Sequence, residues 1–161
     1  MNRTILSIFL FALVVSCKKE ASFPTTPAIE FKQFIAYSLD SADCTISFKD
    51  GDGDIGVLSG DTTTYNLKMK YLYKNSAGNF VPYDADPGTL AFDTLFYNFR
   101  IKTITPDGQY KALNGDITVQ LRAAPVFNPL HTFVKFSINL WDRAGNKSNT
   151  VTTPAVAVPT Q

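Results

Sequence analysis

The chain has few of the residues from which catalytic and metal centres are most often built. Its 161 residues include two cysteines, one histidine and one tryptophan. A structural zinc site takes four cysteine or histidine ligands, which this composition does not supply. The sequence also contains no Gly-x-Ser-x-Gly elbow, no His-Glu-x-x-His pair and no phosphate-binding glycine loop. We therefore expect no enzyme activity, and we expect His131 to be a solvent-exposed loop residue.

An excess of charge of one sign is also absent. The chain has 15 lysines and arginines against 14 aspartates and glutamates, a formal net charge of +1. Such a balance produces no net field that would attract nucleic acid, so no nucleic-acid partner is predicted. Only one long apolar run is present, from Ile5 to Val15. It is shorter than the ~20 apolar residues that a membrane-spanning helix needs.

The apolar run belongs to an N-terminal leader. Arg3 precedes the run, and Ser16 and Cys17 follow it, which is the layout of a secretory signal with a cleavage site. The sequence Val14-Val15-Ser16-Cys17 resembles a bacterial lipobox, in which the cysteine is lipidated on its sulfur and becomes the new N-terminus. The alternative is an ordinary buried or disulfide-bonded cysteine after a plain signal peptide.

The lipobox resemblance divides the chain into three parts. Residues 1–16 are the signal peptide, 17–28 are the lipidated N-terminus and a tether, and 29–161 form one domain. Acyl chains contribute ~0.8 kcal/mol of membrane affinity for each buried CH₂. Lipidation of Cys17 would therefore hold the protein on a membrane, which is its predicted partner. Lys18 occupies the position at which an aspartate often marks inner-membrane retention in lipoproteins. We therefore predict anchoring to the bacterial outer membrane, on its periplasmic side or at the cell surface.

Beyond the tether, apolar residues recur at every second position, which is the pattern of half-buried β-strands. Such runs begin at Ile29, Leu67, Leu95, Ile117 and Val134, and a further β-rich segment covers Thr150 to Val158. In the first run, Ile29, Phe31, Ile35 and Tyr37 share one parity and are predicted to face the core. Cys44, Ile46 and Phe48 share another face, so Cys44 is predicted to be a small buried hydrophobic residue.

Turn sequences separate these runs, among them Asn75–Asn79 and Asn114-Gly115-Asp116. No segment has the periodicity of an amphipathic helix. About seven strands in one small all-β domain predict two antiparallel sheets packed face to face. An immunoglobulin-like sandwich is the predicted architecture, and a closed β-barrel is the alternative.

Two polar loops are candidates for binding calcium. Asp50, Asp52 and Asp54 alternate with glycine after one strand, and Asp142 and Asn146 follow a late strand. The corresponding loops of an immunoglobulin-like sandwich lie at the same end, so these oxygens could surround one Ca²⁺ ion. An EF-hand is excluded by the absence of flanking helices. The alternative is that the Asp-Gly repeats only form tight turns.

Trp141 has the parity of the exposed face of its strand, as do Leu72 and Phe96 in theirs. An exposed tryptophan beside polar loops is a candidate ligand-binding residue, which could stack on a sugar or contact a protein partner. A contiguous patch of such residues would indicate an interaction surface. Parity alone does not place them together.

The Cys17-Lys18-Lys19-Glu20 start, the Asp-Gly-Asp-Gly-Asp-Ile-Gly loop and the Asp-Arg-Ala-Gly-Asn-Lys-Ser-Asn loop are together similar to those of small Bacteroidota lipoproteins with one immunoglobulin-like domain. That resemblance implies a location and a fold but no chemistry. We therefore expect a non-enzymatic, lipid-anchored interaction or accessory module of the cell envelope, with an envelope protein as a candidate partner. The alternative is a surface lipoprotein that binds carbohydrate.

Overall fold

The computed structural model of the protein describes residues 23–88, 91–104, 111–123 and 131–158. The leader, Cys17 and the first part of the tether lie outside these ranges. Within them the chain forms strands and no helix, and therefore no helix of the length and apolarity that a membrane crossing requires. The strands are β1 (Ala28–Ser38), β2 (Ser41–Asp50), β3 (Leu67–Lys74), β4 (Phe80–Pro82), β5 (Phe96–Phe99), β6 (Leu113–Leu121), β7 (Phe133–Leu140), β8 (Val151–Thr152) and β9 (Val156–Ala157).

The strands form two antiparallel sheets. One sheet has the order β1-β2-β6; in the other, β3 pairs with β7, β4 and β5 share the far edge of β3, and β8 and β9 share the far edge of β7. Because β4 and β5 share one edge of the sheet and β8 and β9 share the other, the nine strands of the described ranges fill seven strand positions of a sandwich. This order matches strands A, B and E on one sheet and C, F and G on the other. The predicted sandwich is confirmed, and the closed barrel is wrong because no described strand joins the two sheets.

The core lies between the sheets and is built from the inward-facing residues predicted by alternation. Fully buried members include Ile29, Ile46, Leu67, Met69, Tyr71, Phe136, Ile138 and Leu140. Burying each such side chain contributes ~1.5–3 kcal/mol, so this layer is the main source of stability. Cys44 is 1% exposed, as predicted, and burial raises the pKa of its thiol to about 12.

One part of the alternation in β1 is wrong. The register shifts between Phe31 and Gln33, which is a β-bulge, and a bulge reverses the parity of the residues that follow it. Phe34 therefore packs against the core, while the predicted core residues Ile35 and Tyr37 are 38% and 59% exposed.

One predicted turn lies within a strand. Asn114-Gly115-Asp116 is not a turn but part of β6, where it pairs with Lys49, Phe48 and Ser47 of β2. A Cβ at Gly115 would lie 3.4 Å from the Phe48 ring, so glycine makes room for that ring.

His131 is not solvent-exposed: only 3% of it is accessible. Its Nδ1 lies 3.0 Å from the Tyr71 hydroxyl oxygen, and its ring stacks on Tyr73 at 4.0 Å between ring centroids.

Candidate metal centre

Three aspartates from the two predicted loops meet at one end of the sandwich. Asp50 is the last residue of β2, Asp54 follows in the same loop, and Asp142 comes two residues after the end of β7. One carboxylate oxygen of each lies within 4.8 Å of the others. An antiparallel bridge between Ile55 and Asp142 holds the two loops side by side. The fold thus brings together carboxylates that are far apart in the chain.

Glycine determines the shape of the first loop. Gly53 has a φ of 69°, a conformation that glycine adopts without steric cost. Gly51 packs so closely on the tether that a Cβ there would lie 2.1 Å from the carbonyl oxygen of Phe23. The resulting tight turn lets the Asp54 N–H donate to Oδ2 of Asp50 at 2.9 Å. The Asp-Gly repeat therefore forms a tight turn, and the same turn brings two carboxylates together.

The second loop positions Asp142 and closes over the first loop. The backbone N–H and the side-chain Nδ2 of Asn146 donate to Oδ1 and Oδ2 of Asp142 at 2.7 and 2.8 Å. The Ala144 N–H donates to Oδ2 of Asp54 at 3.1 Å, and the Arg143 N–H donates to the Asp54 carbonyl at 3.2 Å. These bonds fix the geometry of the junction between the loops.

Some of the buried carboxylate oxygens have no donor. Asp50 is 0% exposed, yet its Oδ1 has no hydrogen-bond partner among the described residues. Asp52 and Asp54 are half-buried residues, but the Oδ1 atom of each is also buried and has no hydrogen-bond partner among the described residues. A buried polar atom left without a partner costs ~1–3 kcal/mol, and more when it is charged. A bound cation would satisfy several of these oxygens at once.

The electrostatics of the cluster also favour a cation. Burial raises the pKa of Asp50 to about 6; the Asp54 N–H opposes this shift, and repulsion from Asp52, Asp54 and Asp142 adds to it. Burial, Asp142 and Asp52 raise the pKa of Asp54, while the Ala144 N–H and the Arg143 guanidinium lower it. Crowded carboxylates resist ionisation unless an opposite charge is close by.

The donor set determines which class of ion fits. The cluster offers carboxylate oxygens and no nitrogen or sulfur ligand among the described residues. Hard cations such as Ca²⁺, Mg²⁺ and Mn²⁺ take such oxygens, whereas zinc and copper sites use histidine and cysteine. The residues present therefore fit a hard divalent cation.

Of the five predicted ligands, Asp50, Asp54 and Asp142 form the cluster. Asp52 is not one of the three, although its charge acts on both Asp50 and Asp54. Asn146 contacts Asp142 through two donors and so positions that carboxylate.

An open groove of about 350 Å³ lies beside the cluster. Its lining includes Leu58, Tyr65, Asn66, Lys68, Trp141 and Asp142. Trp141 is half-buried on the outer face, and the ammonium groups of Lys68 and Lys147 lie 5.2 and 5.4 Å from its ring centroid. The predicted ligand-binding tryptophan and the aspartate cluster are therefore neighbours.

Asn66 is a buried residue of the groove that was not predicted from the sequence. This residue is 3% exposed. Its backbone carbonyl accepts the backbone N–H of Trp141 at 2.8 Å, and its side-chain Oδ1 accepts the backbone N–H of Ile101 at 2.8 Å. Its Nδ2 has no partner among the described residues. An asparagine just before an apolar run indicates a turn, but nothing in that pattern reveals burial.

No protein-family model matches the chain, and no curated protein matches its sequence. Among solved structures, the chain is similar to the crystal structure of a Bacteroides uniformis beta-glucuronidase, with 13% sequence identity and a TM-score of 0.25. The similarity covers 83% of this chain, and the chain spans only 13% of the glucuronidase.

Proposed function

We propose that the protein is a lipid-anchored, non-enzymatic interaction module of the bacterial envelope, and that a calcium ion fastens one end of its sandwich. Asp50, Asp54 and Asp142 would hold the ion. The observation that carries the proposal is the buried cluster itself, in which Asp50 and Asp54 each keep an oxygen without a donor. The ion would join the loop after β2 to the loop after β7 and offset the repulsion between them.

Calcium is preferred over magnesium because of the ligands available. Ca²⁺ accepts six to eight oxygens in irregular geometry, whereas Mg²⁺ demands a near-ideal octahedron. The cluster combines two loops of different shape, with Asp52 near by to supply a further oxygen. Modules outside the cytosol bind calcium with Kd values of about 10⁻⁴–10⁻³ M, a range that suits an envelope protein.

The leader supports the envelope location, and a lipid on Cys17 would bring the acidic loops near the membrane. The Gly51 N–H donates to the carbonyl of Pro24 at 2.9 Å, so the tether passes the acidic loop. Five residues separate Cys17 from Phe23. At about 3.3–3.6 Å per extended residue, a lipid on Cys17 would lie within roughly 20 Å of Phe23.

The burial of the ionisable groups supports a structural role for the carboxylates. A general acid or base must reach the reacting group of a bound substrate. Asp50 is 0% exposed, Asp142 is 7% exposed and His131 is 3% exposed. Asp54 is half-buried and the other three groups lie beneath the surface, so we propose an interaction or accessory role in place of catalysis.

Thermal unfolding of the full chain, in calcium and in EGTA, tests the calcium site. At a calcium concentration ten times Kd, mass action adds about 1.4 kcal/mol to the stability of the folded state, which corresponds to a Tm increase of roughly 3–6 °C. Asp54→Asn keeps an acceptor for the Ala144 N–H but removes a charge, so we expect this variant to lose most of the increase.

Asp93→Asn is the matched control, because Asp93 is an exposed aspartate outside the cluster. It should retain the full calcium effect. Identical Tm values with calcium and with EGTA in the unmodified chain would refute the proposed site.

A further inference from the structure

The two sheets carry different charges. The strands of the six-stranded sheet contain four lysines and no aspartate or glutamate. The strands of the three-stranded sheet contain two lysines and four acidic residues. The four lysines, here called the cationic face, are Lys68, Lys70, Lys74 and Lys135. The strands of the two sheets therefore differ in charge, although the net charge of the whole chain is near zero.

The lysines of the cationic face have no acidic partner among the described residues. The ion pairs found there lie on the side of the three-stranded sheet: Lys32–Asp116, Lys49–Glu30 and Arg122–Asp40. The four lysines of the cationic face lie over aromatic rings instead, at 4.4 to 6.0 Å from the ring centroids of Phe80, Phe96, Phe133 and Trp141. A cation–π contact leaves the positive charge available to an anion, because the ring carries no net charge.

Neutral hydrogen-bonding groups fill the spaces between the lysines. The strand register places Lys68 between Asn98 and Asn139, and it places Lys70 beside Ser137. Along β3, successive outward positions are about 7 Å apart. The surface is therefore a row of positive charges with amide and hydroxyl groups beside it.

The row leads into the groove at the calcium end. Lys68 belongs to the cationic face and also lines the groove, together with Tyr65 and Trp141. Tyr65 is 42% exposed, and the Arg100 guanidinium lies 4.2 Å from its ring centroid. Arg143, Asp61 and Asp142 also line the groove. The groove thus continues the aromatic surface with charges of both signs, and the excess of positive charge lies on the cationic face.

We infer that the cationic face and the adjoining groove bind an acidic polysaccharide, a chain of sugars bearing carboxylates. Lysines would pair with the carboxylates, and Asn98, Asn139 and Ser137 would bond sugar hydroxyls. Nucleic acid fits less well, because bases stack on open aromatic rings and the rings here lie beneath ammonium groups. The inference deepens the proposed interaction role and rests on it for the protein's place in the envelope.

Binding of the full chain to immobilised polygalacturonate, at constant ionic strength and without added calcium, tests the inference. Neutral dextran and single-stranded oligothymidylate serve as comparison ligands. The informative variant is Lys70→Gln/Lys135→Gln on the cationic face. The matched control is Lys32→Gln/Lys49→Gln, which removes the same charge from the opposite sheet.

We expect binding to polygalacturonate and none to dextran. The face variant should bind about tenfold more weakly, because each lost lysine removes one attractive charge, and the control should bind within twofold of the unmodified chain. Absence of binding, equal weakening in both variants, or equal affinity for oligothymidylate would overturn the inference. Calcium-dependent melting of the same samples separates such a failure from a failure of the calcium site.

Discussion

His131 and Asp50 are buried ionisable residues whose pKa values reflect the cost of burying charge. Burial lowers the pKa of His131 and so favours the neutral imidazole against Tyr71 and Tyr73. Burial is also the main reason that the pKa of Asp50 rises to about 6, which favours the neutral carboxyl when no cation is bound. The two shifts have opposite effects on stability as the pH falls.

Acidification is expected to destabilise the fold through His131. Its folded-state pKa lies below the ordinary value of 6.5, so below about pH 6.5 the unfolded chain binds the proton more readily and stability falls. Asp50 acts in the other direction, because its raised pKa lets the folded state bind a proton more readily between about pH 6 and pH 4. A variant without this histidine separates its contribution to the pH dependence of stability from that of Asp50.

His131→Gln removes the titration and keeps a group that can hydrogen-bond to Tyr71. We expect this variant to lose less unfolding free energy than the unmodified chain between about pH 7.5 and pH 5.5, measured by urea unfolding in EGTA. An equal loss in the two proteins would show that His131 is not the source.

At the scale of strands and loops, the period-two pattern predicts most of the architecture. Alternation identifies β3, β6 and β7 and their inward faces, because each strand buries only one side. It does not predict the bulge in β1: the polar Gln33 interrupts the apolar parity there, but the extra residue at Lys32 depends on pairing with β2. Nor does it predict Gly115 within a strand, because the need for glycine there comes from the Phe48 ring on the neighbouring strand.

The site could be predicted from the sequence in part. The positions of the two loops follow from the predicted fold, and the structure brings Asp50, Asp54 and Asp142 together as expected. Which aspartates of an alternating loop converge depends on the backbone path of the loop, and in the structure Asp52 is not among the three that do. The burial of Asn66 depends on contacts with residues near Ile101 and Trp141, which local sequence does not encode.

At the scale of the whole molecule, three surfaces differ in character. The acidic loops form one end, beside the tether at Phe23 and Pro24. The three-stranded sheet carries mixed charge in ion pairs, and the six-stranded sheet carries unpaired lysines among the described residues. If Cys17 is lipidated as proposed, the acidic loops would lie towards the membrane and the two sheet faces would remain available for contacts.

Substitution of Cys17 tests the anchor. We expect Cys17→Ala to leave an unprocessed precursor or to release the domain from the membrane fraction, because the acyl chains supply the membrane affinity. Fractionation with acyl-chain labelling measures this, and Cys44→Ala is the control that keeps Cys17. Membrane association and labelling that persist in Cys17→Ala would contradict the lipoprotein assignment.

The single tryptophan can serve as a fluorescence probe of the acidic cluster, because Trp141 directly precedes Asp142. Terbium(III) is a hard, oxygen-seeking ion that can replace calcium, and it emits when a nearby excited tryptophan transfers energy to it. If calcium is held by Asp50, Asp54 and Asp142, excitation of Trp141 should give terbium emission that calcium displaces, that Asp54→Asn abolishes and that Asp93→Asn preserves. No sensitised emission, or emission that neither calcium nor Asp54→Asn reduces, would show that no cation binds between these two loops.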